Sequence, residues 1–207
     1  MTNILVYGSG VLGQIVKQMV AQSGNTFAGF IDDHNACAER AGAFQDVLAG
    51  YPSDLYEIVI AIGYTKLQAR WEVYQKVLRH GYRVPKLIHP QAMITDEALI
   101  GDGAILMMGS IVDVQSRIGE LAVLWPGAVV NHDSEVGGNT FVGPNSTICG
   151  LVRIGSHSFI GAGSVIVNNN AVPERSFVKA GTVFYTQESL NDLHEEAISI
   201  RAGMKPS

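Results

Sequence analysis

From residue 88 to residue 183 the hydrophobic positions recur every six residues. Branched aliphatic residues fill the first position of sixteen consecutive hexads without an insertion, and the fifth position is small in all but two, Val152 and Asn170. A spacing of six fits neither an α-helix nor an alternating strand, but it is typical of a triangular coil with short strands as sides and tight turns as corners. We therefore predict a triangular coil of short strands in which three hexads make one turn of the coil and the aliphatic side chains stack inside.

The segment before this repeat has the pattern of a small Rossmann-like α/β unit. Residues 3–7 form an apolar strand, followed by a glycine-rich loop at residues 8–13 and then by apolar residues at helical spacing. Further strands are predicted at residues 26–31 and 57–62, and a second helix at residues 66–80.

These patterns divide the chain into three predicted parts. An α/β domain occupies residues 1–85, the coil residues 86–184, and a C-terminal segment residues 185–207. Apolar residues at helical spacing in residues 187–201 predict a short helix that covers the last coil, because an open solenoid end exposes apolar surface and unpaired strand edges.

The strand, glycine loop and helix at the N-terminus together predict a nucleotide site. Glycines let the backbone approach a phosphate, and a helix N-terminus presents free N–H groups and partial positive charge. Asp32 and Asp33 follow about 20 residues later, where a carboxylate can accept hydrogen bonds from ribose hydroxyls. The domain is shorter than a full dinucleotide fold, which favours a mononucleotide such as the UDP end of a nucleotide sugar. Glycines that serve only helix–strand packing are the alternative interpretation.

Composition narrows the classes of partner. With 47% hydrophobic and 16% charged residues, the 207-residue chain can build a core, and a net charge of −5 argues against a general nucleic-acid surface. No apolar run is long enough to span a membrane and no basic leader is present, so a cytoplasmic location is expected. Cys37 and Cys149 are interpreted as reduced thiols.

One hexad carries candidate chemistry. His132 is followed by Asp133 and then, two positions further on, by Glu135. Imidazole can take a proton from an attacking amine or hydroxyl near neutral pH, and a carboxylate can orient it and raise its basicity. Residues three hexads apart stack at one corner, so Gly150 leaves the position above His132 without a side chain, a gap that would admit a thin ligand chain. A solvated surface histidine is the alternative.

A metal site and a cysteine nucleophile have less support in the sequence. No metal site is expected, because the separation of His132 and His157 in the sequence is not a whole number of coils and does not stack them at one corner. Cys149 has no histidine beside it in sequence, which favours a structural role over that of a nucleophile.

The chain resembles the NeuD/PglD-like family of sugar O- and N-acetyltransferases over nearly its whole length. The resemblance rests on the N-terminal α/β unit, the unbroken hexapeptides and three motifs, Asp32-Asp33, Ile88-His89-Pro90 and Asn131-His132-Asp133. It implies a left-handed β-helix, a homotrimer with acetyl-CoA between adjacent β-helices, and a UDP-4-amino-sugar on the N-terminal domain.

The resemblance also implies roles for individual residues. His132 would be the catalytic base and Asp133 would increase its basicity. The implied nucleotide-sugar contacts are Gly8, Ser9, Gly10, Val11, Leu12, Gly13, Asp32, Asp33 and Gly63. The implied acetyl-CoA contacts are Phe141, Gly150, Ala162 and Ala180.

The chain departs from the family pattern at two places, one in the first loop and one in the hexad repeat. Val11 and Leu12 stand where the first loop of the family commonly has Gly-His, so a substrate contact from that histidine is absent or replaced. Phe141 stands where the family often has a second histidine after the catalytic one.

These observations predict an enzyme that transfers an acetyl group from acetyl-CoA to an amino group on a nucleotide-activated sugar. His132 would deprotonate the amine in a direct ternary complex. The alternatives are O-acetylation of a sialic acid or related sugar, and a noncatalytic nucleotide-sensing assembly module.

Overall fold

The structure is a computed structural model, and it describes residues 1–186. The N-terminal part is a four-stranded parallel sheet in the order β3-β2-β1-β4, with its connecting helices. Its elements are β1 (Asn3–Tyr7), α1 (Val11–Gln22), β2 (Thr26–Ile31), β3 (Arg40–Gly42), α2 (Phe44–Gly50), β4 (Tyr56–Ile60), a 3-10 turn (Tyr64–Lys66) and α3 (Leu67–Arg79). The short strand β3 and helix α2 were not predicted, because elements of this length are too short to establish a period.

The hexads form the predicted coil. Seventeen two-residue strands pair in parallel with the strands one coil above and below them, and together they build three sheets. Sheet I contains β5 (Leu87–Ile88), β8 (Ile105–Leu106), β11 (Val123–Leu124), β14 (Phe141–Val142), β17 (Phe159–Ile160) and β20 (Phe177–Val178). Sheet II contains β6 (Met93–Ile94), β9 (Ile111–Val112), β12 (Val129–Val130), β15 (Thr147–Ile148), β18 (Val165–Ile166) and β21 (Val183–Phe184). Sheet III contains β7 (Leu99–Ile100), β10 (Arg117–Ile118), β13 (Glu135–Val136), β16 (Arg153–Ile154) and β19 (Ala171–Val172).

The aliphatic series lies inside, as predicted. From Leu106 to Val178 these side chains are buried in one continuous cluster, and Ile88, Ile94 and Ile100 pack against its lower end. The predicted C-terminal helix at residues 187–201 lies outside the described residues.

The small fifth position of the hexads has a second role beyond fitting a crowded wall. Ser134 Oγ donates to the Cys149 carbonyl at 2.7 Å, and Ser146 Oγ donates to the Gly161 carbonyl at 2.7 Å. Each hydroxyl thus satisfies a carbonyl of the next coil. Small polar residues therefore tie the coils together while the aliphatic series fills the interior.

The corners turn through one residue in the left-handed backbone region. In every hexad from Gly103 to Gly181, the third residue after the aliphatic has a positive φ. Asp133 at 56° and Asn139 at 53° belong to this set, and short polar side chains tolerate this region better than most. The corner that carries His132 therefore has the same backbone as its neighbours.

The N-terminal part packs on the outer face of sheet I. Val123 and Phe141 of this face share a hydrophobic cluster with Val6, Leu12 and Val16. Outward residues of sheet I are consequently apolar because the sheet is covered.

Helix α3 is joined to the β-helix through Arg70, a fully buried residue. Its Nη1 donates to the Asn139 side-chain oxygen at 2.7 Å and to the Leu121 carbonyl, and its guanidinium carbon lies 5.0 Å from the Phe141 ring centre. Burial lowers the pKa of Arg70 to about 9. The Asn139 amide nitrogen lies 2.9 Å from both the Leu67 carbonyl and His157 Nδ1, which completes the junction.

Candidate active site and nucleotide pocket

His132 lies at the corner between sheets II and III. The corner joins β12 to β13 and turns at Asp133. Its backbone is held by bonds to both neighbouring coils, from Asp133 N–H to the Val114 carbonyl at 3.1 Å and from Leu151 N–H to the His132 carbonyl at 3.1 Å. The imidazole thus projects from a rigid element rather than from a loop.

His132 and Asp133 form a hydrogen-bonded pair. His132 Nδ1 is 2.9 Å from Asp133 Oδ2, and the two side chains are 47% and 41% exposed. A carboxylate accepts this bond, so in the neutral imidazole Nδ1 carries the proton and Nε2 keeps its lone pair. The pair therefore presents an imidazole nitrogen that can accept a proton at an accessible corner.

Gly150 lies one coil above His132, but the gap predicted there is filled. A Cβ built on Gly150 would lie 2.5 Å from both Cε1 and Nε2 of His132. The imidazole itself occupies the space of the missing side chain, and the contact of Gly150 with acetyl-CoA stays a prediction.

The other predicted acetyl-CoA contacts lie elsewhere. Ala162 and Ala180 are exposed and share the corner between sheets I and II, where Gly181 N–H donates to the Ala162 carbonyl at 2.8 Å. Phe141 is fully buried in the cluster between the β-helix and the N-terminal part. Its ring therefore has no surface for a direct contact with acetyl-CoA, contrary to expectation.

A second concave site of about 350 Å³ lies at the carboxyl ends of β1, β2 and β4. Six of the predicted nucleotide contacts line it: Gly8, Ser9, Gly10, Asp32, Asp33 and Gly63. Val11, Leu12 and Gly13 do not. Gly13 has a packing role, since a Cβ there would lie 2.0 Å from the Gly8 carbonyl oxygen.

Asp32 is organised by hydrogen-bond donors. Ser9 Oγ donates to its Oδ2 at 2.5 Å, while the backbone N–H groups of His34 and Asn35 donate to Oδ1 at 3.0 and 2.8 Å. Burial alone would raise the pKa of Asp32, but these bonds outweigh it and lower the pKa to about 2. The carboxylate is therefore ionised throughout the neutral range.

Asp33 is held differently. Tyr7 donates to Oδ2 at 2.5 Å, the Phe44 N–H donates to Oδ1 at 2.7 Å, and Lys76 Nζ lies 3.3 Å from Oδ2. Burial opposes ionisation, but these partners lower the pKa of Asp33. Asp33 thus fixes the wall of the pocket through three elements.

Sequence reasoning missed several residues at this pocket. Asn35, Thr65 and Lys66 line it, and Lys76 reaches Asp33 from helix α3. Lys66 comes three residues after Gly63, and this position just beyond the third predicted strand could have identified it as a pocket residue. Lys76 carried no such signal, because only the packing of α3 brings it to the second strand.

The two sites lie on opposite sides of one chain. The N-terminal part covers sheet I, whereas His132 lies at the corner opposite that sheet, between sheets II and III. The pocket and the histidine of the same chain are therefore separated by the β-helix.

The N-terminal part and the β-helix each match a known protein family, and both are present together in solved structures. The family model for the PglD N-terminal domain matches residues 3–77, and the model for bacterial transferase hexapeptides (six repeats) matches residues 133–168. The acetyltransferase domain of PglB from Neisseria gonorrhoeae FA1090, solved in complex with acetyl coenzyme A, is 25% identical with a TM-score of 0.83, over 88% of this chain and 90% of that one. PerB from Caulobacter crescentus, solved with CoA and GDP-perosamine, is 26% identical with a TM-score of 0.82, over 89% of each chain.

In both of its parts the chain resembles the PglD/NeuD-like hexapeptide acyltransferases. Its β-helix is accordingly of the left-handed form. WeeI from Acinetobacter baumannii AYE has the same fold, at 22% identity and a TM-score of 0.71 over 87% of this chain and 95% of that one.

Packing explains two of the three residues at which this chain departs from the family pattern. Leu12 is 6% exposed and packs in the hydrophobic cluster beneath α1, while Val11 is 79% exposed at the start of the helix. Phe141 supports the guanidinium of Arg70 at the junction. Both Leu12 and Phe141 are buried in hydrophobic packing, which favours an apolar residue at each position.

Metal-binding groups and membrane-spanning helices are both absent from residues 1–186. No three or more His, Cys, Asp or Glu side chains in this range are arranged to hold a metal ion. None of the helices in the same range is both long and apolar enough to cross a membrane.

Proposed function

We propose that this protein transfers an acetyl group from acetyl-CoA to an amino group of a nucleotide-activated sugar. The His132–Asp133 pair is the observation that carries the proposal, because it offers a free imidazole nitrogen at a rigid, accessible corner. Two similar proteins support the substrates: the Neisseria domain was solved with acetyl coenzyme A, and a Caulobacter relative is described as a GDP-perosamine N-acetyl transferase.

In the proposed reaction His132 acts as general base. Asp133 accepts the hydrogen bond from Nδ1–H, and Nε2 takes a proton from the sugar amine as its nitrogen attacks the thioester carbonyl. The tetrahedral intermediate collapses with cleavage of the C–S bond. The CoA thiolate leaves and receives the proton from His132, so no acyl-enzyme is formed.

The position of His132 supports a site completed by a second copy of the chain. Its own nucleotide pocket lies beyond sheet I, on the far side of the β-helix. A nucleotide sugar held by one copy would therefore reach the histidine of another. We propose a homotrimer with acetyl-CoA between adjacent β-helices.

The outer faces of the sheets support this assembly. The outward residues of sheet II are mostly apolar: Met93, Ile111, Val129, Thr147, Val165 and Val183. Sheet III presents Arg117, Glu135 and Arg153 instead. Sheet II is also bordered by both corners of interest, that of His132 and that of Ala162 and Ala180. Covering its apolar face with another copy would bring such corners together.

The N-terminal pocket is proposed to hold the nucleotide. Asp32 is ionised and faces the pocket, where a spare lone pair can accept from a ribose hydroxyl. Lys66 is a cation in the same lining and can neutralise a diphosphate. We propose UDP as the nucleotide, with GDP as the alternative that the Caulobacter relative suggests.

A substrate panel tests this function. The protein is incubated with acetyl-CoA and either UDP- or GDP-linked 4-amino sugars or a sialic acid. Products are analysed by mass spectrometry, and acetyl-CoA binding is measured separately by calorimetry. Addition of one acetyl group to an amino sugar is expected. Acetylation of hydroxyl sugars alone would support O-acetylation instead, and failure to bind acetyl-CoA would support a noncatalytic module.

Replacement of the base tests the mechanism. His132→Ala is expected to lower kcat by about 10²–10⁴-fold, the usual contribution of general base catalysis. Glu135→Gln, a neighbouring carboxylate on sheet III, is the matched control and should retain activity. Turnover near the wild-type rate in His132→Ala would exclude the assigned role.

A further inference from the structure

Gly150 is buried against the imidazole of His132. The three atoms nearest to a Cβ built at this position all belong to that ring: Cε1 and Nε2 at 2.5 Å and Cδ2 at 3.1 Å. Such separations lie well inside the van der Waals contact distance of carbon and nitrogen atoms. A side chain at residue 150 would therefore have to displace the ring.

The backbone itself does not require glycine here. Gly150 is absent from the set of residues with positive φ. The same hexad position is occupied by Ser156 and Ala162 in the next two hexads, so this part of the coil accepts a Cβ. The missing side chain is explained by the histidine below it rather than by the turn.

We propose that Gly150 is a positioning residue for His132. The ring is fixed at Nδ1 by Asp133 and is seated on Gly150 at Cε1 and Nε2. The second contact sets where the Nε2 lone pair lies. This inference rests on the proposed role of His132 as general base, and it is the alternative to a direct contact of Gly150 with acetyl-CoA.

Kinetics of Gly150→Ala test the proposal on a panel sugar nucleotide that the wild-type protein acetylates. A methyl group is expected to turn the ring and lower kcat by about 10–100-fold, since small misplacements of a catalytic group have effects of this order. The KM for acetyl-CoA should change by less than about twofold, because uniform binding is untouched. An unchanged kcat with a raised KM would show that residue 150 lines the acetyl-CoA path instead.

Gly138→Ala is the matched control. Gly138 has the same hexad position at the corner between sheets III and I, one coil above Glu120. Its Cβ would meet the Glu120 carbonyl oxygen at 3.2 Å and Cγ at 3.4 Å, so the change is accommodated with small shifts. Activity should be retained. An equal loss of kcat in both variants would indicate a general effect on the coil and overturn the assignment.

A measurement without substrate tests the contact between Gly150 and His132 independently of the proposed reaction. Long-range ¹H–¹⁵N NMR of the imidazole nitrogens reports which one carries the proton, with His132→Ala assigning the signals. Wild-type His132 should be protonated at Nδ1, and Gly150→Ala should shift toward the Nε2-protonated form as the bond to Asp133 is lost. Unchanged nitrogen shifts would refute the positioning role even if His132 proves to be the base. Conversely, an active His132→Ala would refute the base while leaving the contact between ring and glycine measurable.

Discussion

Asp32 has both carboxylate oxygens engaged by hydrogen-bond donors before any ligand is bound. Burial favours its neutral form, yet the donors lower its pKa to about 2. The folded pKa is below the ordinary value of 3.8, so the charged carboxylate stabilises the fold above about pH 4. That contribution is lost as the pH falls from about 4 to about 2.

Removal of the Ser9 hydroxyl should reverse part of this shift. In Ser9→Ala the pKa of Asp32 is expected to rise toward 3.8, because the side-chain bond from Ser9 is the largest of the effects that lower it. A ¹³C NMR titration of the Asp32 carboxyl carbon measures the change. The same pKa in both proteins would mean that the backbone donors alone determine it.

At the scale of the element, two positions of each hexad have different structural roles. The aliphatic residue fills the interior, and the small polar residue at the fifth position satisfies a carbonyl of the next coil. The aliphatic packing repeats in every coil, and the hydroxyl bonds to the next coil recur between Ser116 and Ser164, so stability accumulates along the stack rather than in one central core.

Truncation within the stack should therefore cost more than truncation at its end. Ile148→Ala removes a fully buried side chain of sheet II and is expected to lower the free energy of unfolding by about 2–5 kcal/mol. Ile94→Ala, three coils lower in the same sheet and only partly buried, should cost about half as much. Urea denaturation measures both, and equal losses would contradict the weaker burial of the first coil.

At the scale of the whole molecule, the junction between the two parts contains a titratable group. His157 Nδ1 accepts a hydrogen bond from Asn139, and the ring lies 5.3 Å from the Trp71 ring. Burial lowers the pKa of His157, with a further lowering from Arg175 and an opposing effect from Glu174. The neutral ring is thus the form that the folded junction favours.

Acidification should weaken this junction. Because the folded pKa is lowered from 6.5, the stabilisation is present above about pH 6.5 and is lost as the pH falls from there through the lower, folded pKa. The free energy of unfolding of the wild-type protein should therefore decrease between about pH 7 and pH 5. His157→Gln keeps an acceptor for Asn139 without a titrating ring, and a slope as steep as in the wild type would exclude His157 as the source.

The proposed assembly predicts different responses from two sheets. Val129→Glu places a charge on the apolar face of sheet II, and burying it without a partner would cost several kcal/mol, enough to dissociate the trimer. Arg117→Glu alters the charged face of sheet III and should leave the assembly intact. Size-exclusion chromatography with light scattering measures the mass. A Val129→Glu protein of unchanged mass would place the interface elsewhere.

The sequence by itself determined the β-helix and the order of the parts. A period of one hexad repeats local information many times, so each inward aliphatic and each stacking partner one coil away follows from counting. The adjacency of His132 and Asp133 is likewise local. The loop glycines and acidic pair predicted the pocket because parallel strands bring their carboxyl ends to one edge.

Only the tertiary structure decided which side chains contact the outward-facing residues and fill the position without a side chain at Gly150. Phe141 is buried because the N-terminal part covers sheet I, and the position without a side chain at Gly150 is filled because the His132 ring, one coil below, leans into it. Lys76 and Arg70 acquire their partners through the packing of α3. Such contacts join residues that are far apart in the chain, and their geometry depends on how the elements pack. The six-residue period therefore predicts which residues stack from coil to coil, but not which side chains fill the spaces between the stacks.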